Sequence, residues 1–513
     1  MRVTNLMMQT NVLGNIYNNK RDMSTKFNQY STGQKIQRPS EDPVIAVRSL
    51  KYRANLAQLE QYCDKNIPDA ETWISITEST LSEMTDLLTE MNYYCVQGAS
   101  DTYETIDRTS IANTLNEYRE QIYQGLNADY AGRYLFSGYR TDTPVLFTEA
   151  TRDKEYLIEE PLSKTNITSF SYVVGGAEYD ESKTASDYDK MAPTMKTGYK
   201  ISLAYGDMKE IGDNFTYTDE TGTVHDVFTE FTVTEKYSTD ADAYTTNTNE
   251  IIFMKDTGEL ILSEEAYKTF SKAKNINIDY SKNTFEKGEI RPEFYYDCKT
   301  YEVDGTGNPI ASTEVSYESP SSQDICYEIN FDQKLKVNTM ANETITSALS
   351  RQIDDILAAV NAVAEVDDKI ADIKQKQSAT DLNETQKEAL NSLMEQLKTE
   401  RVLKVTLLQE SFGRGNTVTK TTQNGQKVAT ESGEVKEVGV GIAITSLGSR
   451  DKRLSLVKER LTDQKTAFED ILKENESVDI EEAILNYSAA EVTYNASLSA
   501  AAKVVKNTLL DFI

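Results

Sequence analysis

IEEAILNYSAAEVTYNASLSAAAKVVKNTLLDFI, residues 480–513, places Ile484, Tyr487, Tyr494, Leu498, Ala501, Val505 and Phe512 on one register of spacings of three and four, interrupted only by Glu491 and Thr508. That period predicts a long helix with a single seam. An isolated helix of this kind is marginal in water, because most of its stability comes from packing the stripe against something else. The opposite end of the chain offers a matching stripe. Leu6, Leu13, Ile16, Met23, Phe27 and Tyr30 follow the same spacings, with Gln9 and Lys20 as polar interruptions. Two seams at opposite ends predict helices that pair with each other and with neighbouring subunits.

Inward from these ends the helical signal continues. Gly33 predicts a C-cap, and Asp42 followed by Pro43 predicts an N-cap with proline at the first helical position. A stripe then runs from Leu56 to Cys95 straight through Pro68, so a kink near residues 64–68 is expected without a break in packing. A further helix is predicted over 105–131, and GRYLFSGYRTDTPVLF, 132–147, reads as strand and turn. From about 148 to 335, short alternating runs such as YKISLAY and EIIFMK, separated by Gly, Asn and Asp, predict a β-rich middle. Helical periodicity returns at 341–375 and 383–410, and 413–434 reads as a hairpin or exposed loop. The C-terminal heptads begin at Leu447. The expected fold is α+β, mainly α: an elongated rod of long helices from both chain ends, with a β-rich outer region between them.

Composition narrows the function. With 83 acidic against 54 basic residues the net charge is -29, which repels phosphate backbones and anionic lipid, so neither nucleic acid nor membrane is an expected partner. No stretch has the roughly 20 apolar residues of a membrane helix, and the N-terminus lacks the apolar core of a cleaved secretory signal. The one histidine, His225, excludes His-based metal clusters and leaves a Ser-His-Asp triad only if that residue serves. Acidic pairs such as Asp240 with Asp242, or Asp354 with Asp355, read as solvated faces because they lack the ligand spacing of a calcium loop. No catalytic residue, metal site or cofactor is expected. Cys63 and Cys95, 32 positions apart on one helical stretch, lie about 48 Å apart at 1.5 Å per residue and cannot bond. Cys298 and Cys326 sit in strand-like segments, and whether they pair is open.

Three motifs carry a resemblance. STGQKIQRPSEDPVIAVRSL (31–50), GRYLFSGYRTDTPVLF (132–147) and YNASLSAAAKVVKNTLLDFI (494–513) resemble the flagellar hook-filament junction proteins, hook-associated members of the flagellin superfamily. Arg38, Pro39, Glu41, Asp42 and Pro43, with Tyr134, Phe136 and Gly138, are the family-motif positions, and the proline-flanked acidic turn separates the chain from flagellin itself, the alternative. The resemblance implies no enzymatic activity. It implies terminal coiled-coil helices, 1–35 and 476–513, that form the inner layer of a tube and order on assembly. Around them it implies a helical rod from 36–147 and 437–475, with 336–363. The β-rich region 148–335 would lie outside, and 364–436 is a helical hairpin and loop insertion. It also implies an extracellular place in the bacterial flagellum, reached by type III export without a cleaved signal. The implied partners are a preceding hook-associated protein, flagellin, further copies in the junction ring and a cytoplasmic chaperone on the C-terminal region. Pro68, the cysteines and the extra length depart from the family pattern. A secreted protein with a binding or enzymatic outer module is a further reading.

Overall fold

The computed structural model describes residues 5–240, 242–304, 307–318, 323–378, 383–429 and 435–510, with side chains from 7 to 503 within that set. Four helices open the chain: α1 (Asn5–Thr32), α2 (Pro43–Gln61), α3 (Ile67–Gly98) and α4 (Thr105–Gly125). Gly33, at φ +69°, ends α1 in the left-handed conformation that a side chain would resist. Asp42 caps α2 by accepting from Val44 N–H at 2.9 Å and Ile45 N–H at 3.2 Å, and Pro43 fills the first helical position, where no N–H is needed.

The kink expected at 64–68 takes the form of a π-helical turn, Tyr62–Asn66, between α2 and α3. Pro68 cannot donate to the carbonyl four residues back. The wider turn ahead of it lets Ile67 N–H reach Tyr62 O instead, so the helix is continued and not ended. The stripe survives: Leu59, Ile67, Ala70, Ile74, Thr77, Leu81, Met84, Leu88, Met91 and Cys95 are all buried. Helix α4 stops at Gly125, short of the expected 131, and a tight hairpin follows. Its strands β1 (Asp129–Tyr130) and β2 (Arg133–Tyr134) are joined by Ala131 and Gly132, both at positive φ.

The middle is β-rich as expected. One six-stranded antiparallel sheet contains β3 (Lys154–Leu162), β6 (Glu210–Thr218), β7 (Val224–Asp226), β11 (Asn275–Lys282), β12 (Asp297–Glu302) and β13 (Val315–Tyr317). A five-stranded sheet contains β4 (Ile167–Val174), β5 (Thr194–Ser202), β8 (Thr232–Lys236), β9 (Glu250–Met254) and β10 (Glu259–Leu262), with β8 parallel to β9. Alternate residues of both sheets fill one core, including Ile158, Phe215, Phe253, Leu260 and Ile278, which makes the region a sandwich. Short helices α5 (Ala185–Asp189), α6 (Val227–Glu230) and α7 (Glu264–Phe270) connect strands, and β14 (Cys326–Asn330) pairs with β15 (Gln333–Lys336).

Helices α8 (Ala348–Gln377) and α9 (Glu384–Asn424) pack on each other, then β16 (Gln426–Ala429) and β17 (Val435–Val438) form a hairpin before α10 (Val440–Glu476) and α11 (Ile480–Leu510). Residues 413–424, expected as loop, are helical. Their Gly and Thr content lets α9 lie close to its neighbours, with Gly415 facing Ile356 and Cys95, so packing overrides weak intrinsic propensity. Helix α8 also runs unbroken through residues 363 and 364, the expected edge of an insertion. All four cysteines are free, Cys298 and Cys326 among them. By contacts the chain forms two compact units, Met1–Ala70 with Tyr327–Leu335 and Lys452–Ile513, and Glu71–Cys326 with Lys336–Asp451.

Candidate assembly surface

In the first unit α1 packs on α11, so the two chain ends pair. Tyr487 is the hinge of the contact, its ring centroid 5.6 Å from Phe27 and 6.2 Å from Tyr30, nearly parallel to the latter. The face that α11 turns inward is Ala483, Tyr487, Ala490, Tyr494, Ser497 and Ala501, a strict alternation of four and three in which Ala483 and Ala490 are buried. This differs from the series read off the sequence. Ile484 and Leu498 are 42% and 41% exposed, whereas the small Ala483 and Ala490 are buried where the helices come close. Their neighbours Leu485 and Val492 are 70% and 68% exposed.

Helix α1 behaves alike. Val12, Ile16 and Met23 are partly buried, Leu13 and Tyr17 are exposed, and Phe27 and Tyr30 remain partly open to solvent while touching the Tyr487 ring. The side chains of Leu6 and Val505, and Phe512 altogether, lie outside the described residues. Of the series read from the sequence, Ile16, Met23, Tyr487, Tyr494 and Ala501 are partly buried and Phe27 and Tyr30 touch Tyr487, while Val12, Ala483 and Ala490 are covered residues outside that series. Alanine at 483 and 490, one heptad apart, was the signal available.

The motif at 31–50 builds the joint between these helices. Gly33 O accepts from Val478 N–H at 2.9 Å and Lys35 N–H donates to Glu476 O at 2.7 Å, which pins the α1–α2 turn to the α10–α11 turn. Arg38 O accepts from Glu41 N–H at 3.0 Å across a turn with Pro39 at its second position, and Glu41 Oε2 accepts from Gln37 N–H at 2.8 Å. Arg53 adds a two-pronged bond to the Glu476 carboxylate, 2.9 Å on each arm. The other motif residues, Tyr134, Phe136 and Gly138, lie in the second unit. Phe136 is buried and its carbonyl accepts from Ala341 N–H at 2.9 Å; Gly138, at φ +63°, abuts Gln323.

The acidic candidates are already engaged. Asp354 pairs with Arg119, and Asp355 accepts from Lys200 at 2.9 Å; Asp242 accepts from Lys236 at 2.8 Å, and Asp240 from Tyr237 N–H at 2.9 Å. His225 sits in β7, with its ring nitrogens 3.0 Å from Glu230 and 3.4 Å from Asp219. Among the described residues there is no group of three metal-ligating side chains, and no helix is long and apolar enough to cross a membrane.

Residues 3–141 match the bacterial flagellin N-terminal helical region. Flagellar hook-associated protein 3 of Salmonella typhimurium is 31% identical over 152 residues, which is 29% of this chain and 47% of that protein. Flagellin of Clostridium tyrobutyricum is 29% identical over 122 residues, 24% of this chain and 32% of that one. The chain therefore spans less than half the length of these relatives. A solved flagellar junction protein, FlgL from Legionella pneumophila, aligns over 85% of this chain and 100% of its own at 10% identity and a TM-score of 0.27. Over residues 3–141 the chain is thus similar to the bacterial flagellin N-terminal helical region, and in sequence to flagellar hook-associated protein 3.

Proposed function

We propose that the chain is a structural subunit of the bacterial flagellum that joins the hook to the filament, and that it turns over no substrate. The observation that carries this is the pair α1 and α11, which bury one seam between them and leave a second apolar stripe facing outward. Each such Leu or Val is worth roughly 1.5–3 kcal/mol when covered, so a ring of neighbours that covers them stabilises the assembly strongly. Heterologous contacts between copies that do not close into a ring build helical polymers. In this reading the terminal helices line the tube and order fully only against neighbours. Residues 36–147 and 437–475, with 336–363, form the rod, and 148–335 faces outward. The partners are the preceding hook-associated protein, flagellin and further copies, with a chaperone covering the C-terminal stripe before type III export. Removal of residues 494–513, or Leu498→Asp, should leave a folded second unit and abolish filament attachment; normally flagellated, motile cells would sink the proposal.

The flagellin likeness supports a second reading, a subunit of the filament itself. Immunogold labelling of intact flagella separates the two. Label confined to the hook end supports the junction, and label along the shaft supports the filament.

A further inference from the structure

Between β4 and β5 the chain leaves the sandwich for some twenty residues. It starts at Gly175, whose φ of +88° provides a sharp turn, and Gly176 then passes against the buried Glu400 of α9. The segment is folded before it arrives anywhere. Asp180 accepts from Ser182 N–H at 2.9 Å, Thr184 N–H donates to Asp187 at 3.0 Å to start α5, and Tyr188 Oη bonds both the N–H and the carbonyl of Asp180, at 2.9 and 3.0 Å. The result is a compact turn with one aromatic side chain at its centre. Tyr188 is 1% exposed, and it is buried against the helical hairpin: with Ala177 it joins Val366, Ile370, Leu393 and Leu397 in a single apolar cluster. Polar contacts rim the cluster. Ser392 bonds Asp189 and, at 3.3 Å, Ala185 O; Lys369 lies 3.7 Å from Glu178, and Lys376 lies 4.4 Å over the Tyr179 ring.

We propose that residues 175–193 are a strap that fastens the β sandwich to the α8–α9 hairpin, and that receiving this strap is what the distal half of the hairpin is for. A pair of helices with apolar positions such as Ile370 and Leu393 needs a third layer to cover the groove between them, and the strap is that layer. It is also a small contact, a short preformed plug on a two-glycine hinge in which Tyr188 is the one large buried side chain, rimmed by solvent-facing polar contacts. That combination makes it the segment that opens first, detaching from the helices while the sandwich stays folded. The inference does not depend on the flagellar reading.

Hydrogen exchange measured by mass spectrometry on the full chain tests it. Tyr188→Ala should speed exchange at least tenfold in 177–191, in 366–373 and in 389–397, and leave β9, β10 and α4 at wild-type rates. Tyr188→Phe, which keeps the ring and loses only the Asp180 bonds, should behave nearly as wild type. Ser392→Glu, which sets a second carboxylate against Asp189 without emptying the cluster, should give the same pattern in smaller measure and serves if Tyr188→Ala does not fold. Unchanged protection in 366–373 and 389–397 overturns the proposal. So does acceleration spread evenly through the sandwich, since Tyr188 would then support the fold at large.

Discussion

Glu160, on β3, has its carboxylate buried where it accepts from Ala204 N–H at 2.9 Å and from Tyr280 Oη–H at 2.7 Å. Burial outweighs both bonds and pushes its pKa up to about 7. Asp279, on the paired strand β11, is pushed up to about 6, first by burial and then by Glu159. A carboxyl whose folded pKa lies above its unfolded value of about 4.3 is taken up by the fold in its protonated form. Stability is therefore greatest below that value, falls as pH rises towards 7, and levels off above it. For Glu160 the loss by pH 8 is on the order of 3 kcal/mol. Glu160→Gln keeps an oxygen for the two donors and removes the charge. It should match wild type at pH 4 and exceed it by roughly 3 kcal/mol at pH 8. Urea unfolding followed by the fluorescence of Trp73, the one tryptophan and fully buried, measures this; an identical pH dependence in both proteins would refute it. The sequence could not single out this residue. Glu159 and Glu160 are neighbours of the same type in an acidic chain, and only the strand alternation, fixed by pairing with β11, turns the second one inward.

Elements with a complete local signal were legible. The Asp42-Pro43 start of α2 and the Gly33 end of α1 need only a few residues to specify them, and the α3 stripe was correct to its last member because a period of 3.6 is visible over long spans. The C-terminal part of α9 was not legible, since GRGNTVTKTTQN has the composition of a loop and becomes helical only where α3 and α8 pack on it. Its two glycines separate intrinsic propensity from packing. Gly413 has nothing within 4 Å of where a Cβ would stand, so Gly413→Ala should stabilise by up to about 1 kcal/mol. At Gly415 that Cβ would lie 2.9 Å from Ile356 Cδ1 and 3.0 Å from Cys95 Sγ, both held in the core. The same gain is then opposed by overpacking of about 1–3 kcal/mol, and Gly415→Ala should be destabilising on balance. Thermal unfolding of the two variants should move Tm in opposite directions. A shift of the same sign in both would mean that this stretch is governed by propensity and not by its neighbours. The strap was equally hidden, because ESKTASDYDK announces a turn but not what Tyr188 is buried against.

For the molecule as a whole, the issue is which apolar side chains serve the monomer and which are left for other chains. The seam read from the sequence ran through Ile484, Tyr487, Tyr494 and Leu498; in the fold Ala483 and Ala490 are the buried members of α11, Tyr487 and Tyr494 are partly buried, and Leu485 and Val492 are left exposed one heptad apart. Periodicity alone cannot assign the two faces, because a helix with apolar residues on both sides presents two valid heptad registers and only the volume available between the helices decides. The assignment predicts opposite outcomes for two changes on one helix. Leu485→Asp with Val492→Asp alters side chains that are mostly exposed in the monomer, so circular dichroism and melting should stay within about 0.5 kcal/mol of wild type. Polymerisation, followed by sedimentation velocity, should be lost, since each carboxylate would be buried unpaired at several kcal/mol. Ala490→Leu does the reverse: it forces α1 and α11 apart, lowers helicity in the monomer, and weakens assembly only as a consequence. Screening should also matter, because copies carrying a net charge of -29 repel one another, and wild-type association should strengthen as salt shortens the Debye length from about 30 Å to about 10 Å. If the Asp variants polymerised normally while Ala490→Leu kept full helicity, the inward and outward faces of α11 would have to be exchanged.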